Sequence, residues 1–346
     1  MENKFIESGS YAKLQIVGGL IRKEASKKGV GKLVDEIRWI NNLPEELKTH
    51  FPEIVRYDID SPIVFSEMRY YPLNTLRRLI MEKKIDVDGA LKQLEIIFDF
   101  MFDKIYKIYP KEDTTSLIDD VYFNRAKNRL GEMRGLTPIF KRLLDTKKII
   151  LNGNEYDHVL PVLKKLENDE KLKRVLHPPY ISYIHGDLHL GNILADKEDS
   201  NKFILIDPRG RVYGGGVGGD YAYDLGKIWH SLNGLYDFIH ENKFTVKYSV
   251  EGDTLKAKLD ILEEEKIEVY KAILEKIPNL LQKYEKIKND KYWYERTLFS
   301  EIIHFCSLLP FHREGDNYEK KPIAFYLRSV VLLKKFMEIW KNVAKE

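Results

Sequence analysis

Polar and apolar side chains alternate along Lys13-Leu14-Gln15-Ile16-Val17, the period of a half-buried strand. Gly18-Gly19 follows, a pair suited to a tight hairpin turn, and Leu20 to Ala25 reads as the return strand. The period then changes. Leu33, Ile37 and Ile40, with Val34 beside them, recur at helical spacing until Asn41-Asn42-Leu43-Pro44, where proline stops a helix. Ile63 to Met68 is a further strand, ended by Tyr71-Pro72.

Beyond Pro72 the pattern is helical. Apolar residues at steps of three and four predict helices over 73–84 and 90–108, and, more weakly, over 124–145 and 160–176. Two short apolar runs, Tyr180–Ile184 and Phe203–Ile206, flank a stretch rich in His, Asp, Gly and Asn. Residues 244–250 and 254–259 alternate around Glu251-Gly252-Asp253 and predict a hairpin. Helical patterns return over 262–274, 297–309 and 322–343. The expected organisation is a small β-rich N-terminal lobe, 1–71, and a large, mostly helical C-terminal lobe, 72–346, joined by a hinge at 69–72.

Composition narrows the function classes. The 57 Lys and Arg nearly balance the 54 Asp and Glu, which gives no reason to expect nucleic acid as a partner. Cys306 is the single cysteine, so neither a disulfide framework nor a cysteine zinc site is available. No window approaches the length of apolar chain that spans a membrane. Residues 1–10 carry Glu2, Lys4 and Glu7 and lack an apolar signal core. A cytoplasmic protein without a membrane partner is expected.

The chemistry concentrates in His185-Gly186-Asp187-Leu188-His189-Leu190-Gly191-Asn192 and in Ile206-Asp207-Pro208-Arg209-Gly210. Asp187 and Asn192 lie in a loop between the two apolar runs, and Asp207 follows the second run directly. This spacing gathers three oxygen-bearing side chains at the end of a small sheet. Oxygen donors of this kind suit Mg²⁺, which takes one or two carboxylates together with substrate phosphates. A remaining carboxylate can orient and deprotonate a hydroxyl. Phosphoryl transfer needs this equipment, since it depends on positioning and charge compensation. As turn formers and a strand-end cap, the same three residues would be purely structural.

His-Gly-Asp-x-x-x-x-Asn followed by Ile-Asp resembles the aminoglycoside phosphotransferase and choline kinase family, small-molecule relatives of the protein kinases. Gly219-Asp220-Tyr221-Ala222-Tyr223-Asp224-Leu225-Gly226 is similar to a later segment of that family. The resemblance implies a bilobal, protein-kinase-like α+β fold with an antiparallel-sheet N-lobe, and an ATP- and Mg²⁺-dependent kinase, GTP remaining open. It implies Asp187 as catalytic base, Asn192 and Asp207 as metal ligands, His185 bracing the catalytic loop 185–192, and Asp224 supporting its backbone. Lys23, two positions after Ile21 on the third strand, would grip the nucleotide phosphates and pair with Glu36, with Arg22 and Asp35 as rivals one position away. Ser8-Gly9-Ser10 would cover the phosphates. Ile21 and Met68 would bound the adenine pocket, and Tyr70 and Tyr71 in the connector would supply backbone hydrogen bonds.

Two glycine motifs are set aside. Gly29-Val30-Gly31-Lys32 has the tail of a P-loop, but Ser26 stands where its first glycine belongs and Leu33 where its Ser or Thr belongs. The glycine-rich 214–219 segment does not link a strand to a helix, and a flexible stretch is expected there. The short span from Asp207 to Asp224 leaves no platform for a peptide, so a small-molecule hydroxyl acceptor is expected. Arg209 and Arg211 can hold an acidic group on it; Trp229, His230, His304, His312 and Arg313 are further candidates. Tyr221, Tyr223 and Trp229 could form a choline cage. Similarity of the 207–210 and 223–232 stretches to a bacterial branch tied to surface polysaccharides implies a sugar or sugar derivative. A choline- or aminoglycoside-type kinase, a protein kinase and a non-catalytic nucleotide-binding module are the alternatives. His189 is left without a role, and the oligomeric state stays open.

Overall fold

A computed structural model describes residues 4–6, 12–110, 116–212, 216–312 and 318–345. The chain divides into two compact units: Met1–Glu112 with Ile181–Asp224, and Asp113–Tyr180 with Leu225–Glu346.

The first unit carries a five-stranded sheet. Its strands are β1 (Lys4–Ile6), β2 (Ala12–Val17), β3 (Leu20–Ala25), β4 (Ile54–Asp58) and β5 (Phe65–Arg69), in the order β1-β2-β3-β5-β4 and antiparallel throughout. The Gly18-Gly19 turn joins β2 to β3, as the alternation predicts. Helix α1 (Val30–Asn41) follows and ends just before Leu43-Pro44. Its apolar stripe packs on the sheet, with Leu33 and Ile37 against Val64 and the partly buried Ala25 and Ile54. Further along the stripe, Trp39 is fully buried, stacked on Tyr183 with ring centroids 5.0 Å apart, and its indole N–H donates to the Ile184 carbonyl at 3.1 Å. The helix is thereby tied to the chain entering loop 185–192.

Further along the chain, α2 (Leu76–Met81) starts at a Thr75 cap and α3 (Val87–Asp103) at an Asp86 cap. The predicted helix over 73–84 is thus shorter than its apolar pattern, because Asn74 and Thr75 pair with the strand Ile193–Ala195. That strand also pairs with Phe203–Leu205, so the second apolar run lies beside the chain leaving Asn192. The first run pairs elsewhere: Ser182–Tyr183 lies against Gly218–Gly219. The two runs therefore belong to different small sheets, and the glycine-rich segment ends in a buried strand rather than a free loop.

The second unit is mostly helical. Its longest helices are Glu264–Leu281, Trp293–Leu308 and Lys320–Val343, and the predicted hairpin is present as Phe244–Glu251 and Thr254–Ile261. A second hairpin, Lys148–Leu151 with Asn154–Tyr156, extends it into a four-stranded sheet. Caps split two expected helices. Thr137 accepts from the Phe140 amide and Pro138 opens a new helix, while Asp169 accepts from the Lys171 and Leu172 amides. Among the described residues, no helix is long and apolar enough to cross a membrane.

Candidate active site

The site lies wholly within the first unit. Strand pleat and helix period bring its first pair together. Lys23 is on β3, Glu36 on the inner face of α1, and their charged ends meet at 2.7 Å. The rivals are placed elsewhere. Arg22 faces the other side of the sheet, bonded to Glu24 and Glu67 at 2.7 Å each, and Asp35 lies 3.9 Å from Arg211. Lys23 also donates to Asp207 at 2.5 Å, so one ammonium bridges two carboxylates. Burial disfavours the lysine charge, but Asp207 and Glu36 outweigh it and hold the group above its usual pKa. Burial drives Glu36 upward against the opposing effect of Lys23. At Asp207 burial is outweighed by Lys23 and Lys32, and the carboxyl stays below its usual range.

Asp207 has a left-handed backbone, φ 57°, a conformation that costs a non-glycine residue roughly 1–2 kcal/mol. It sits where Phe203–Leu205 ends, and the Ile206 amide donates to the Asn192 carbonyl at 2.9 Å. The two oxygen donors Asn192 and Asp207 are therefore held side by side by backbone. The Asn192 side-chain amide donates to the Asp187 carbonyl at 2.9 Å, which turns its N–H end into the loop. Among the described residues no group of three or more His, Cys, Asp or Glu could hold a metal. An amide oxygen and one carboxylate form the partial, hard-oxygen set that suits Mg²⁺ completed by phosphates.

Loop 185–192 is fixed from beneath. The buried Asp224 carboxylate accepts from the His185 amide at 2.8 Å, the Gly186 amide at 2.7 Å and the Tyr106 hydroxyl at 3.1 Å. Burial pushes Asp224 up to about 7 despite these bonds. His185 Nδ1 accepts from the Asp187 amide at 3.2 Å. His189 caps the short helical turn Leu190–Asn192, accepting from the Gly191 amide at 3.0 Å, which gives this residue a local structural role. Gly186 has φ +77°, and a Cβ there would lie 2.8 Å from Arg209 Cβ. The Arg209 amide in turn donates to the His185 carbonyl at 2.7 Å. Its guanidinium stands 3.8 Å from the Asp187 carboxylate. Gly210, φ +69°, lets this segment pass against α1, where a Cβ would lie 2.2 Å from the Asp35 carbonyl oxygen.

On the sheet, Ile21 and Met68 are paired partners on β3 and β5. In the connector the Tyr70 amide donates to the Gly19 carbonyl at 3.1 Å, and the Tyr71 hydroxyl accepts from the Glu53 amide. Ser8, Gly9, Ser10, Gly214, Gly215 and Arg313 lie outside the described residues. In the second unit Trp229 and His230 are each 1% exposed. Trp229 packs near Trp293 and Tyr294, while His230 stacks on Tyr236 at 4.4 Å with His304 at 6.0 Å. His312 lies at the edge of the same aromatic cluster. Tyr221 and Tyr223 are also fully buried.

Sequence reasoning passed over Lys32. It sits one helical turn before Glu36, and its strongest attraction is to Asp187, followed by Asp207. The signal was present in the spacing of four from Lys32 to Glu36, which places both on one helix face. Tyr106, bonded to Asp224, gave no comparable signal.

The sequence matches no family model and no curated protein. Solved structures do match in fold. Choline kinase LicA from Streptococcus pneumoniae has a TM-score of 0.55 at 12% identity, covering 97% of this chain and 94% of its own. A thermostable mutant of aminoglycoside phosphotransferase APH(4)-Ia, in ternary complex with ADP and hygromycin B, gives 0.53 at 10% identity, with 96% and 93% covered. A GDP complex of an aminoglycoside 2'-phosphotransferase-IIIa mutant gives 0.50 at 13%, with 97% and 91% covered. At these identities the likeness establishes the fold: a bilobal, kinase-like α+β architecture with a small antiparallel sheet and a large helical part.

Proposed function

We propose that this protein is a Mg²⁺-dependent phosphotransferase that moves the γ-phosphoryl of ATP to a hydroxyl of a small molecule, a sugar or sugar derivative. The observation that carries this reading is the bridge from Glu36 through Lys23 to Asp207, next to an Asp187 whose loop is clamped by Asp224. Structural turn formers would have no reason to assemble a buried lysine between two carboxylates beside a third.

Each residue has a task in this chemistry. Glu36 fixes Lys23, which exchanges its contact with Asp207 for the nucleotide's α- and β-phosphates. Asn192 and Asp207 would hold Mg²⁺, which supplies charge compensation for the phosphates when bound. Ile21 packs near the adenine and Met68 guards the back of its pocket, the two being paired on β3 and β5, and connector backbone other than the Tyr70 amide, which is committed to Gly19, supplies its hydrogen bonds. The lobes 1–71 and 72–346 take the nucleotide at their hinge. Asp187 orients the acceptor hydroxyl. The hydroxyl oxygen bonds to the γ-phosphorus, the bond from that phosphorus to the β–γ bridging oxygen breaks, and ADP departs with the electron pair. The hydroxyl proton passes to Asp187 and from there to solvent.

A small acceptor is supported by the short chain between Asp207 and Asp224. The sugar assignment is supported by fold neighbours named for aminoglycosides, one of them bound to hygromycin B. A role for Arg209 in meeting an acidic substituent on the acceptor is supported by its guanidinium, 3.8 Å from the Asp187 carboxylate. The test is a metabolite library incubated with protein and MgATP, read for ATP-dependent mass gain of one phosphate. Transfer to a sugar-class hydroxyl is expected. Transfer only to protein, or nucleotide binding with no transfer to any acceptor, would replace the reading with a protein kinase or a binding module.

A further inference from the structure

Loop 185–192 contains no lysine or arginine. Phosphoryl transfer nevertheless spreads negative charge over three equatorial oxygens, and that charge needs compensating cations close by. Lys23 is committed to Glu36 and, in the reading above, to the inner phosphates. A second lysine is nearby. Lys32 lies on α1, four residues before Glu36, so the two project from one face of the helix. It is half-buried. Among the charges it meets are those of the site: it is attracted to Asp187 and Asp207 and repelled by Arg209 and Lys23.

Helix α1 cannot swing this lysine away. The Trp39 indole is bonded to the Ile184 carbonyl, and the Asp35 carbonyl sits so close to Gly210 that no side chain fits between them. Two independent attachments thus hold the helix against both catalytic segments, 185–192 and 207–210. They fix the helix face that brings Glu36 to Lys23 and, through it, to Asp207, and Lys32 projects from that same face; Asp187 and Asp207 hold the acceptor hydroxyl and the metal-bound phosphate in the proposed reaction. Burial lowers the lysine pKa, and the two aspartates oppose that effect.

We propose that Lys32 contacts the terminal phosphoryl group of the bound nucleoside triphosphate and compensates the charge on its equatorial oxygens during transfer. The inference rests on the phosphotransferase reading and adds to it a catalytic cation supplied by α1 instead of the catalytic loop. No bond to the lysine forms or breaks. Its ammonium donates hydrogen bonds to oxygens that stay on phosphorus throughout.

The position makes a specific demand on nucleotide selectivity. A residue that meets only the terminal phosphate distinguishes ATP from ADP, whereas one that merely props up α1 affects both. Calorimetry in Mg²⁺ with ADP and with a non-hydrolysable ATP analogue, on wild type, Lys32→Met, Lys32→Gln and Lys32→Arg, separates these roles. We expect Lys32→Met and Lys32→Gln to weaken the ATP analogue about tenfold while ADP stays within about twofold, with Lys32→Arg intermediate. Turnover in Lys32→Met should fall about 10²–10³-fold, the scale of removing one preorganised donor from a transition state. Equal losses for both nucleotides, or no loss for either together with unchanged turnover, would overturn the proposal while leaving the phosphotransferase reading intact. A wild-type protein that binds neither nucleotide would overturn that reading itself.

Discussion

Replacing Lys23 by methionine removes one charge and keeps most of the apolar stem. The consequences can be worked out from exposure. The Lys23 side chain is 11% exposed and Glu36 only 3%, so Glu36 loses its compensating charge in a place water barely reaches. Asp207 is 39% exposed and is screened by solvent, so its share is small. Breaking a buried pair by removing one partner costs about 3–5 kcal/mol, and the low end of that range applies here. The loss must also depend on pH. Burial already holds Glu36 above its ordinary value of 4.5, and without Lys23 it rises further. The native variant then binds a proton that the unfolded chain releases, so its stability falls as pH rises from 4.5 towards the folded value. Lys23 itself contributes no pH dependence in this window, because its folded value lies above 10.5 and its stabilisation is lost only in alkali. Urea unfolding followed by far-UV circular dichroism at pH 5 and pH 7 should therefore show Lys23→Met less stable at both. The deficit against wild type should be smaller at pH 5. The double variant Lys23→Met/Glu36→Leu should recover part of the loss, because it leaves no uncompensated buried charge. A deficit under about 0.5 kcal/mol, or one identical at the two pH values, would refute the buried bridge; the threshold is the scale of an exposed pair.

Asp187→Asn should retain MgATP affinity by calorimetry while single-turnover transfer drops roughly 10²–10⁴-fold, because asparagine cannot take the hydroxyl proton. Asp224→Asn should destabilise the protein by about 1–3 kcal/mol in thermal unfolding, since an amide nitrogen would face one of the two N–H groups of His185 and Gly186. Its turnover should fall with it, and intact turnover would show that the clamp does not position Asp187. Gly210→Ala places a Cβ 2.2 Å from the Asp35 carbonyl oxygen at a positive φ; overpacking and backbone strain together predict a loss of about 2–4 kcal/mol. Nucleotide affinity should weaken too, because α1 must move and takes Glu36 with it, so unchanged affinity would detach α1 from the site.

Much of the first unit could be read from periodicity because its elements are simple. β2 and β3 alternate on either side of a glycine pair, α1 carries one clean apolar stripe, and the change of period put Lys23 on a strand and Glu36 on the helix after it, as the structure has them. The rest escaped for identifiable reasons. β4 turns Val55 and Tyr57 outward, at 52% and 46% exposure, so its hydrophobic residues follow no buried face. The hairpin at 148–156 turns on Asn152-Gly153, an informative pair that was hidden between stretches taken as helical. Thr137-Pro138 and Asp169 are good helix starts, and a weak apolar period ran across both. The two apolar runs around the catalytic loop looked like neighbours, but strand pairing depends on long-range register that no local pattern encodes. Lys32 was set aside with a false P-loop, because what gives it meaning is the approach of Asp187 and Asp207 from far along the chain.

The first unit is built from two separated stretches of chain, and this bears on how the protein can be made. During synthesis, Met1–Glu112 emerges long before Ile181–Asp224. Lys23 and Asp207, 184 positions apart, cannot meet until the later stretch has been translated. In the interval Trp39 lacks Tyr183 and Ile184, so a large aromatic surface on α1 stays uncovered while the intervening segment is made. At about 5–20 residues per second, that interval lasts several seconds. A nascent chain in this condition is a natural client for chaperones. An expression fragment that stops before residue 181 would carry the same exposed tryptophan permanently, together with a lysine missing one of its two carboxylates.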